Sequence, residues 1–192
     1  MSAGAALRRK EPTRRATYRD VLDAPPHMVA EIVDGALHLQ PRPAIRHTVA
    51  SSFLGGELFG PFQRGRGGPG GWWILDEPEL HLGKDVLVPD LAGWRRERLR
   101  EPPDEAFFTL EPDWVCEVLS PSTRKLDLEE KRPVYAREGV GHLWLVDPSA
   151  RTLEAFVLSA AAWSPTGLAR NGEPVSFPPF EAIAFPLDAL WP

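Results

Sequence analysis

The chain has 192 residues, 43% of them hydrophobic and seven of them tryptophan, which is enough to bury the core of one globular domain. It contains no apolar run of about 18 residues and no signal-peptide core, so we expect a cytoplasmic protein without a membrane partner. Its one cysteine, Cys116, excludes an internal disulfide and a cysteine zinc cluster, and its apolar surroundings predict a buried structural thiol.

The net charge is -5 and is unevenly distributed. The first 15 residues hold five basic residues and one acidic residue, so the remainder has 17 basic against 26 acidic residues, or -9. A body with this charge is not a generic DNA-coating surface, because such surfaces neutralise phosphates with an excess of Lys and Arg.

The N-terminal part predicts a short helix and a hairpin. Residues 1–16 are polar and basic and predict a disordered leader, so the single domain is expected to span residues 17–192. A short helix is predicted near residues 17–22. Asp34-Gly35 is a strong two-residue turn signal, and residues 31–39 around it therefore predict a β-hairpin.

The middle of the chain predicts a helix followed by a sheet. Apolar side chains recur every three to five residues over 47–62, which indicates an amphipathic helix. The glycine-rich loop at 65–71 lacks the Lys-Ser/Thr ending of a P-loop, so its glycines are interpreted as turn residues. Strands are then predicted at 72–75, 79–82 and 86–94.

The C-terminal half predicts more strands around one helix, the strands being 114–119, 142–147 and 152–158. The helix is expected over residues 127–138, with a start signal near Ser122 or Thr123, a kink at Pro133 and an end at Gly139. Asp147 is assigned to the turn between the last two strands. Residues 165–192 are rich in proline and are expected to wrap the surface.

Two acidic residues lie in or beside apolar strands. Asp90 follows the segment Val86-Leu87-Val88-Pro89, and Glu117 lies inside Trp114–Leu119. A carboxylate in such a setting costs several kcal/mol unless it is paired, hydrogen-bonded or bound to a cation. Mg²⁺ or Mn²⁺ fits, because Mg²⁺ usually takes one or two carboxylates and completes its coordination with water and phosphate. The two acids therefore predict metal-assisted hydrolysis of phosphodiesters.

Several motifs follow one another in a specific order: Glu31-Ile32-Val33-Asp34-Gly35, His47, Pro89-Asp90, Glu117-Val118-Leu119-Ser120-Pro121-Ser122-Thr123, Asp127, Lys131, Tyr135, Gly139-Val140 and Leu143-Trp144-Leu145-Val146-Asp147-Pro148. This order resembles the Uma family, a group of bacterial proteins assigned to the PD-(D/E)xK restriction-endonuclease-like superfamily. The resemblance covers almost the whole chain. It implies an α/β fold, with a mixed sheet flanked by helices and an N-terminal β-hairpin extension.

The resemblance also implies a lysine that positions or deprotonates the attacking water and offsets charge in the transition state. In the superfamily pattern this lysine lies two residues after the acid, on the same face of the strand, and here that place is Leu119. Lys131 is the best substitute, since the resemblance places a family lysine there, and Lys125 is the second choice. The alternative for Lys131 is an exposed helix pair with Asp127, contributing about 0.3 to 0.5 kcal/mol.

Two further residues are auxiliary candidates through the resemblance. Glu31 matches an early acid of many nucleases in this superfamily and is expected to assist the metal through water, or else to be a surface acid of the hairpin. His47 matches a family histidine and is expected to contact phosphate or water, or else to cap its helix. The other histidines show no metal-ligand spacing, so a zinc enzyme is not predicted.

Clustered arginines follow the Asp90 strand at positions 95, 96, 98 and 100. They are expected either to contact phosphate or to form a solvated polar turn with Glu97 and Glu101. The sequence leaves both interpretations open.

The leading functional hypothesis is a metal-dependent endonuclease that cleaves DNA, with Asp90 and Glu117 as metal ligands, Lys131 as the charged partner and Glu31 as auxiliary acid. The alternative is a nuclease-like domain without turnover that serves as a nucleic-acid-binding or dimeric scaffold, in keeping with Leu119 and the acidic body. A homodimer surface is expected from the C-terminal aromatic residues Phe177, Phe180, Phe185 and Trp191, unless they pack onto the sheet.

Overall fold

The computed structural model describes residues 14–191, so the predicted leader lies outside the described residues except for its last three positions. Those positions contact the folded part. The Ala16 N–H donates a hydrogen bond to the Gly35 carbonyl at 2.9 Å, and Arg14 forms an ion pair with Asp20. No helix in residues 14–191 is long and apolar enough to cross a membrane.

Twelve strands and a few short helices follow one another along the described residues. In chain order they are α1 Tyr18–Leu22, β1 Met28–Val33, β2 Ala36–Pro41, α2 Ile45–Leu58, a first π-helix Phe59–Gln63, β3 Trp72–Asp76, β4 Leu80–Leu82, β5 Asp85–Leu87, β6 Leu91–Arg95, β7 Trp114–Val118, a second π-helix Leu126–Lys131, α3 Arg132–Arg137, β8 His142–Asp147, β9 Thr152–Ser159, β10 Ala162–Arg170, β11 Pro174–Val175, β12 Phe185–Pro186 and a 3-10 helix Leu187–Leu190.

A six-stranded mixed sheet forms the centre of the fold, in the order β10-β9-β8-β7-β6-β3. Strands β7 and β8 are parallel, and the other neighbours in this sheet are antiparallel. A second sheet of four strands has the order β2-β1-β5-β4 and contains the N-terminal hairpin. This arrangement confirms the predicted α/β fold with a mixed sheet and a hairpin extension.

The hairpin turn is tied to the rest of the domain by a network of charged residues. Asp34 and Gly35 have φ values of 51° and 83°, the left-handed conformations that a two-residue hairpin turn requires. The Asp34 N–H donates to Oδ1 of buried Asp85 at 2.6 Å, and Arg137 from α3 forms ion pairs with both acids. These contacts hold β1 against β5 and α3, and so fix the position of Glu31.

The two faces of the six-stranded sheet bury separate clusters of apolar side chains. Alternate residues of β7 belong to each: Trp114, Cys116 and Val118 pack with α2 and the C-terminal segment, whereas Val115 packs with α3 and the four-stranded sheet. Because successive residues of a strand point to opposite faces, Glu117 points to the α3 face. The predicted buried thiol of Cys116 is confirmed.

The predicted strand at residues 86–94 is wrong as a single element. The chain leaves the four-stranded sheet after Leu87 and enters the six-stranded sheet at Leu91. Pro89 lies in the gap, and a proline cannot donate a ladder hydrogen bond. The polar backbone groups of Val88 bind side chains instead: its N–H donates to Glu31 Oε1 and its carbonyl accepts from Lys131 Nζ.

The predicted helix begins directly after Thr123, which confirms the predicted start near Ser122 or Thr123, and it changes its winding along its length. Its middle is π-helical from Leu126 to Lys131 and becomes α-helical immediately before Pro133. A proline in a helix interior leaves the carbonyl four residues earlier without a donor and clashes with it, so a wider turn at this point accommodates the ring. The helix ends at Gly139, whose φ of 85° favours glycine, as predicted.

The expectation that residues 165–192 wrap the surface is wrong in two respects. Residues 162–170 form edge strand β10, and the aromatic residues after them enter the core. Phe180 is 1% exposed and Phe185 is 4% exposed, while Phe177 and Trp191 pack against the same cluster. Phe180 and Phe185 therefore pack within one chain, which is the alternative that the sequence left open for these aromatic residues.

We predict that Phe180→Ala destabilises the fold by about 3 to 5 kcal/mol, the range for removing a large side chain from a packed core. The ring of Phe180 lies 4.6 Å from that of Phe62, 4.9 Å from those of Trp72 and Trp114, and 5.5 Å from that of Trp144. Urea unfolding measures the loss. The control Leu168→Ala, at a 47% exposed position, is expected to cost less than about 1 kcal/mol. Equal effects of the two variants would contradict this assignment of the core.

Candidate metal-dependent nuclease site

A cavity of about 60 Å³ lies where the hairpin, the break after β5, strand β7 and the second π-helix meet. The acids that line it are Glu31, Glu77, Asp90, Glu117 and Asp127, and three of them, Glu31, Glu117 and Asp127, form ion pairs with Lys131. The structure therefore brings together four of the predicted site residues, Glu31, Asp90, Glu117 and Lys131. Predicted auxiliary residue His47 lines the same cavity. Lys125 does not: it is exposed and lies outside the lining.

Lys131 is the centre of this cluster and is only 2% exposed. Its Nζ lies 2.8 Å from Glu117 Oε1, 2.9 Å from Glu31 Oε1 and 3.7 Å from Asp127 Oδ1, and it donates to the Val88 carbonyl at 3.1 Å. Burial alone lowers the pKa of a lysine, but the charges of Glu117 and Glu31 outweigh it here and raise the pKa of Lys131 well above its ordinary value.

The expectation of an exposed Lys131/Asp127 helix pair is wrong. Both side chains are buried, and the ammonium bridges residues from β1, β7 and its own helix. Burying an ammonium is tolerated only when charges and hydrogen bonds replace its hydration. Removing the charge of Lys131 would leave Glu31 and Glu117 uncompensated in the interior, which costs roughly 3 to 5 kcal/mol in comparable buried pairs.

Glu31 is a buried residue and not a surface acid of the hairpin. It is 1% exposed, and both of its oxygens have donors: Oε1 accepts from the Val88 N–H at 2.8 Å and Oε2 accepts from Gln40 Nε2 at 3.1 Å. Sequence reasoning did not identify Gln40. An available signal was the inverted pattern of β2, in which polar His38 and Gln40 alternate with exposed Leu37 and Leu39.

Glu117 has one oxygen tied to the protein. Its Oε1 accepts a hydrogen bond from the Tyr135 hydroxyl at 2.6 Å and contacts Lys131 Nζ. Burial raises the pKa of the Glu117 carboxyl well above its ordinary value, although attraction to Lys131 opposes this. Burial also raises the pKa of the Tyr135 hydroxyl, so the phenol stays a donor to the carboxyl. Both protein contacts involve Oε1, and Oε2 is the atom on which a cation would bind.

Asp90 lies immediately before β6 and is more open, with its side chain 15% exposed. Its Oδ2 accepts a hydrogen bond from the Val118 N–H at 2.6 Å, and its Oδ1 lies 3.1 Å from Nε2 of His47. The expectation that His47 caps its helix is wrong, because the N-cap is Ala44 and His47 lies in the first turn with its ring turned inward.

Other sequence-predicted polar residues have structural contacts away from the cavity. Arg96 donates to the backbone carbonyls of Gln63 and Trp72, and Arg98 forms ion pairs with Glu111 and Asp113, which supports the polar-turn interpretation of the arginine cluster. Asp147 accepts hydrogen bonds from the Ser149 and Ala150 N–H groups, as its assignment to a turn predicted.

The donor set fits a small oxygen-preferring cation bound through few protein ligands. Within residues 14–191, no group of three or more His, Cys, Asp or Glu side chains is arranged to hold a metal ion. Mg²⁺ does not need one, because it is usually bound through one or two carboxylates and keeps several waters. The cavity of about 60 Å³ is large enough for a few waters, since each needs roughly 10 to 15 Å³. Asp90 and Glu117 both line it.

We predict a pH-dependent difference in stability between the wild type and Asp127→Asn. Burial raises the pKa of Asp127 from 3.8 to about 6, so the folded state holds a proton there that the unfolded state has already released. The contribution of this proton to the free energy of unfolding is fully present below about pH 4 and is lost as pH rises through about 6. Relative to Asp127→Asn, the free energy of unfolding of the wild type should therefore fall by on the order of 3 kcal/mol over this range. Urea unfolding across this range measures it. Parallel curves for the two proteins would refute the assignment.

Comparison with known proteins gives the same fold. Five chains of known structure match. One is a crystal structure described as a "putative nuclease belonging to DUF820" from Anabaena variabilis, which has 19% sequence identity and a TM-score of 0.72. The match covers 92% of this chain and 97% of that chain. At this level of identity the likeness concerns the fold alone, and it agrees with the mixed α/β architecture described above.

Among proteins with curated function, none matches this chain. A family model does match, over residues 15–188, which is nearly all of the chain that the structure describes. Its description is "Uma2: Putative restriction endonuclease". On this match the chain belongs to the Uma2 family.

Proposed function

We propose that this protein is a Mg²⁺- or Mn²⁺-dependent endonuclease that hydrolyses DNA phosphodiester bonds, and that it works in the cytoplasm. The observation that carries the proposal is the contact of 2.8 Å between Lys131 Nζ and Glu117 Oε1 at a cavity that Asp90 also lines. An acid pair and a lysine thus share one site, although the lysine comes from a helix and not from the strand. The family description supports nuclease chemistry.

Asp90 and Glu117 are the residues that would hold the cation. When bound, a divalent metal polarises the phosphate and lowers the pKa of a coordinated water. Asp90 is suited to this role because it faces the cavity and is partly exposed. Glu117 is suited because Tyr135 and Lys131 fix its Oε1, which orients the other oxygen. Glu31 does not need to bind the metal, since it holds the ammonium of Lys131 through Oε1 and is held by Gln40 through Oε2.

Lys131 would place a permanent positive charge beside the scissile phosphate. Its raised pKa keeps it protonated, so it acts as a hydrogen-bond donor and electrostatic partner and not as a base. Its position is fixed by contacts to Glu31, Glu117 and the Val88 carbonyl, so little reorganisation is needed as charge develops on the phosphate. The charge of the ammonium can offset negative charge in the transition state.

DNA is the proposed substrate because the family is described as one of restriction endonucleases. The acidic body, with 17 basic and 26 acidic residues after position 15, disfavours tight nonspecific binding to nucleic acid. Recognition would then depend on the metal-loaded cavity and local contacts.

We predict that Asp90→Asn and Glu117→Gln each weaken binding of Mn²⁺ at least tenfold. Removing a residue that only hydrogen-bonds to a metal ligand already lowers metal affinity about 10- to 100-fold. Each substitution keeps the size of the side chain and removes its charge. Isothermal titration calorimetry of the full chain without DNA gives the affinities. Asp104→Asn, in the exposed loop between β6 and β7, is the matched control and should bind like the wild type. Wild-type affinity in both site variants would refute the metal site.

We predict that Lys131→Met lowers metal-dependent cleavage of DNA by roughly two to three orders of magnitude, the effect of losing one electrostatic donor to a transition state. Exposed Lys125→Met, six residues earlier, should retain activity within about twofold, as expected of a surface substitution. Plasmid and single-stranded DNA with Mg²⁺ or Mn²⁺ are the substrates. Because Lys131→Met also destabilises the fold, cleavage is measured where circular dichroism shows both variants folded.

Asp90→Asn gives an independent test of cleavage, because it leaves the charge balance around Lys131 intact. It should be inactive while its unfolding curve stays near that of the wild type. If the wild type cleaves neither DNA nor RNA with either metal, yet binds nucleic acid as tightly as Lys131→Met, the scaffold hypothesis replaces the nuclease.

A further inference from the structure

His47 is a buried polar residue whose packing does not account for its presence. It lies in the first turn of α2, and its side chain is 9% exposed. Its ring has one close ionic partner, Oδ1 of Asp90, which lies 3.1 Å from Nε2. Its other nitrogen, Nδ1, is buried and has no hydrogen-bond partner among residues 14–191.

The unpartnered Nδ1 lowers the stability of the folded state, and an apolar residue at this position would avoid that loss. A buried polar atom without a partner loses its hydration and gains nothing in return, typically about 1 to 3 kcal/mol. The inward face of α2 is otherwise apolar or small, with Ala50, Leu54 and Leu58 buried against the six-stranded sheet. A leucine at position 47 would continue this face. The contact with Asp90 is therefore the interaction that accounts for the histidine.

Asp90 is held from two sides by this contact. One oxygen, Oδ2, accepts from the Val118 N–H at 2.6 Å, and the other, Oδ1, lies beside His47. The terminal torsion of an aspartate is broad, so a single donor leaves the plane of the carboxylate free to rotate. A second donor on the other oxygen fixes that plane. Glu117 is restrained differently, because the Tyr135 hydroxyl and Lys131 both contact the same oxygen, Oε1.

We propose that His47 is a positioning residue for Asp90: it fixes the plane of the Asp90 carboxylate, and so raises the affinity of the site for its divalent cation. This inference rests on the proposed function, since it assigns Asp90 to the metal. This role does not require His47 to touch the metal or the substrate. His47 acts through Asp90, in the way that donors to metal-ligating carboxylates set affinity in other metal sites.

The test compares two substitutions of His47 by calorimetric titration of the full chain with Mn²⁺ in the absence of nucleic acid. His47→Leu removes the donor and fills the space with an apolar side chain. His47→Gln keeps an N–H donor at a similar reach. We expect His47→Leu to bind Mn²⁺ about 10- to 100-fold more weakly than the wild type, and His47→Gln to recover most of this loss.

Thermal unfolding of the metal-free proteins separates positioning from a structural role. His47→Leu should melt at the wild-type temperature or above it, because it removes the unpartnered Nδ1 and continues the apolar face of α2. A structural histidine would instead lower the melting temperature. The control is His142→Gln, at the start of β8, whose Nδ1 is likewise buried and unpartnered but which lies outside the cavity. It should leave Mn²⁺ affinity unchanged.

A double-mutant cycle decides whether His47 acts through Asp90. Two groups that act on one function through each other are not additive. In the Asp90→Asn background, His47→Leu should cause no further loss of Mn²⁺ affinity. A full additional loss, or wild-type affinity in His47→Leu, would overturn the inference. Failure of the metal site itself is distinguishable, because then Asp90→Asn and Glu117→Gln would already bind Mn²⁺ like the wild type.

Discussion

The buried ammonium of Lys131 is the interaction on which the arrangement of the site depends. It lies within 2.9 Å of carboxylate oxygens from β1 and β7, and it donates to the backbone between β5 and β6. Each of these groups would be costly to bury alone, so the hairpin, the central sheet and the helix are stable together only in this relative position. An acidic cluster in the interior is tolerated because one cation serves several acids.

The break after β5 connects this charge cluster to Asp90, the more exposed acid of the cavity. Pro89 prevents a continuous strand, and the polar groups of Val88 are satisfied by Glu31 and Lys131 rather than by a neighbouring strand. The chain then passes from one sheet to the other, and Asp90 emerges at the start of β6 beside β7. The same local feature therefore supplies backbone partners for two buried side chains, Glu31 and Lys131, and places the Asp90 carboxylate at the cavity.

The position of the lysine on a helix has a packing explanation. Leu119 occupies the place of the usual strand lysine, and it is 6% exposed within the apolar cluster on the α3 face. Glu117 shares this face of β7, and the helix that covers the face carries Lys131. A lysine on the covering helix can therefore contact Glu117 as closely as a lysine on the strand could. The π-helical segment before Pro133 contains Lys131 and sets the direction from which its side chain approaches Glu117.

The sequence by itself determined the type and order of most elements and the identity of the charged residues. Local signals sufficed for these, such as the Asp34-Gly35 turn, the glycine that ends α3, and acids set among apolar strand residues. Only the tertiary structure decided which groups meet. That Glu31 is buried, that His47 contacts Asp90 and that Lys131 is an interior cation depend on ion-pair partners that lie 14 to 100 residues away along the chain, and periodicity carries no information on such contacts. The break at Val88 was missed for the same reason, because the alternative partners of its backbone lie in other elements.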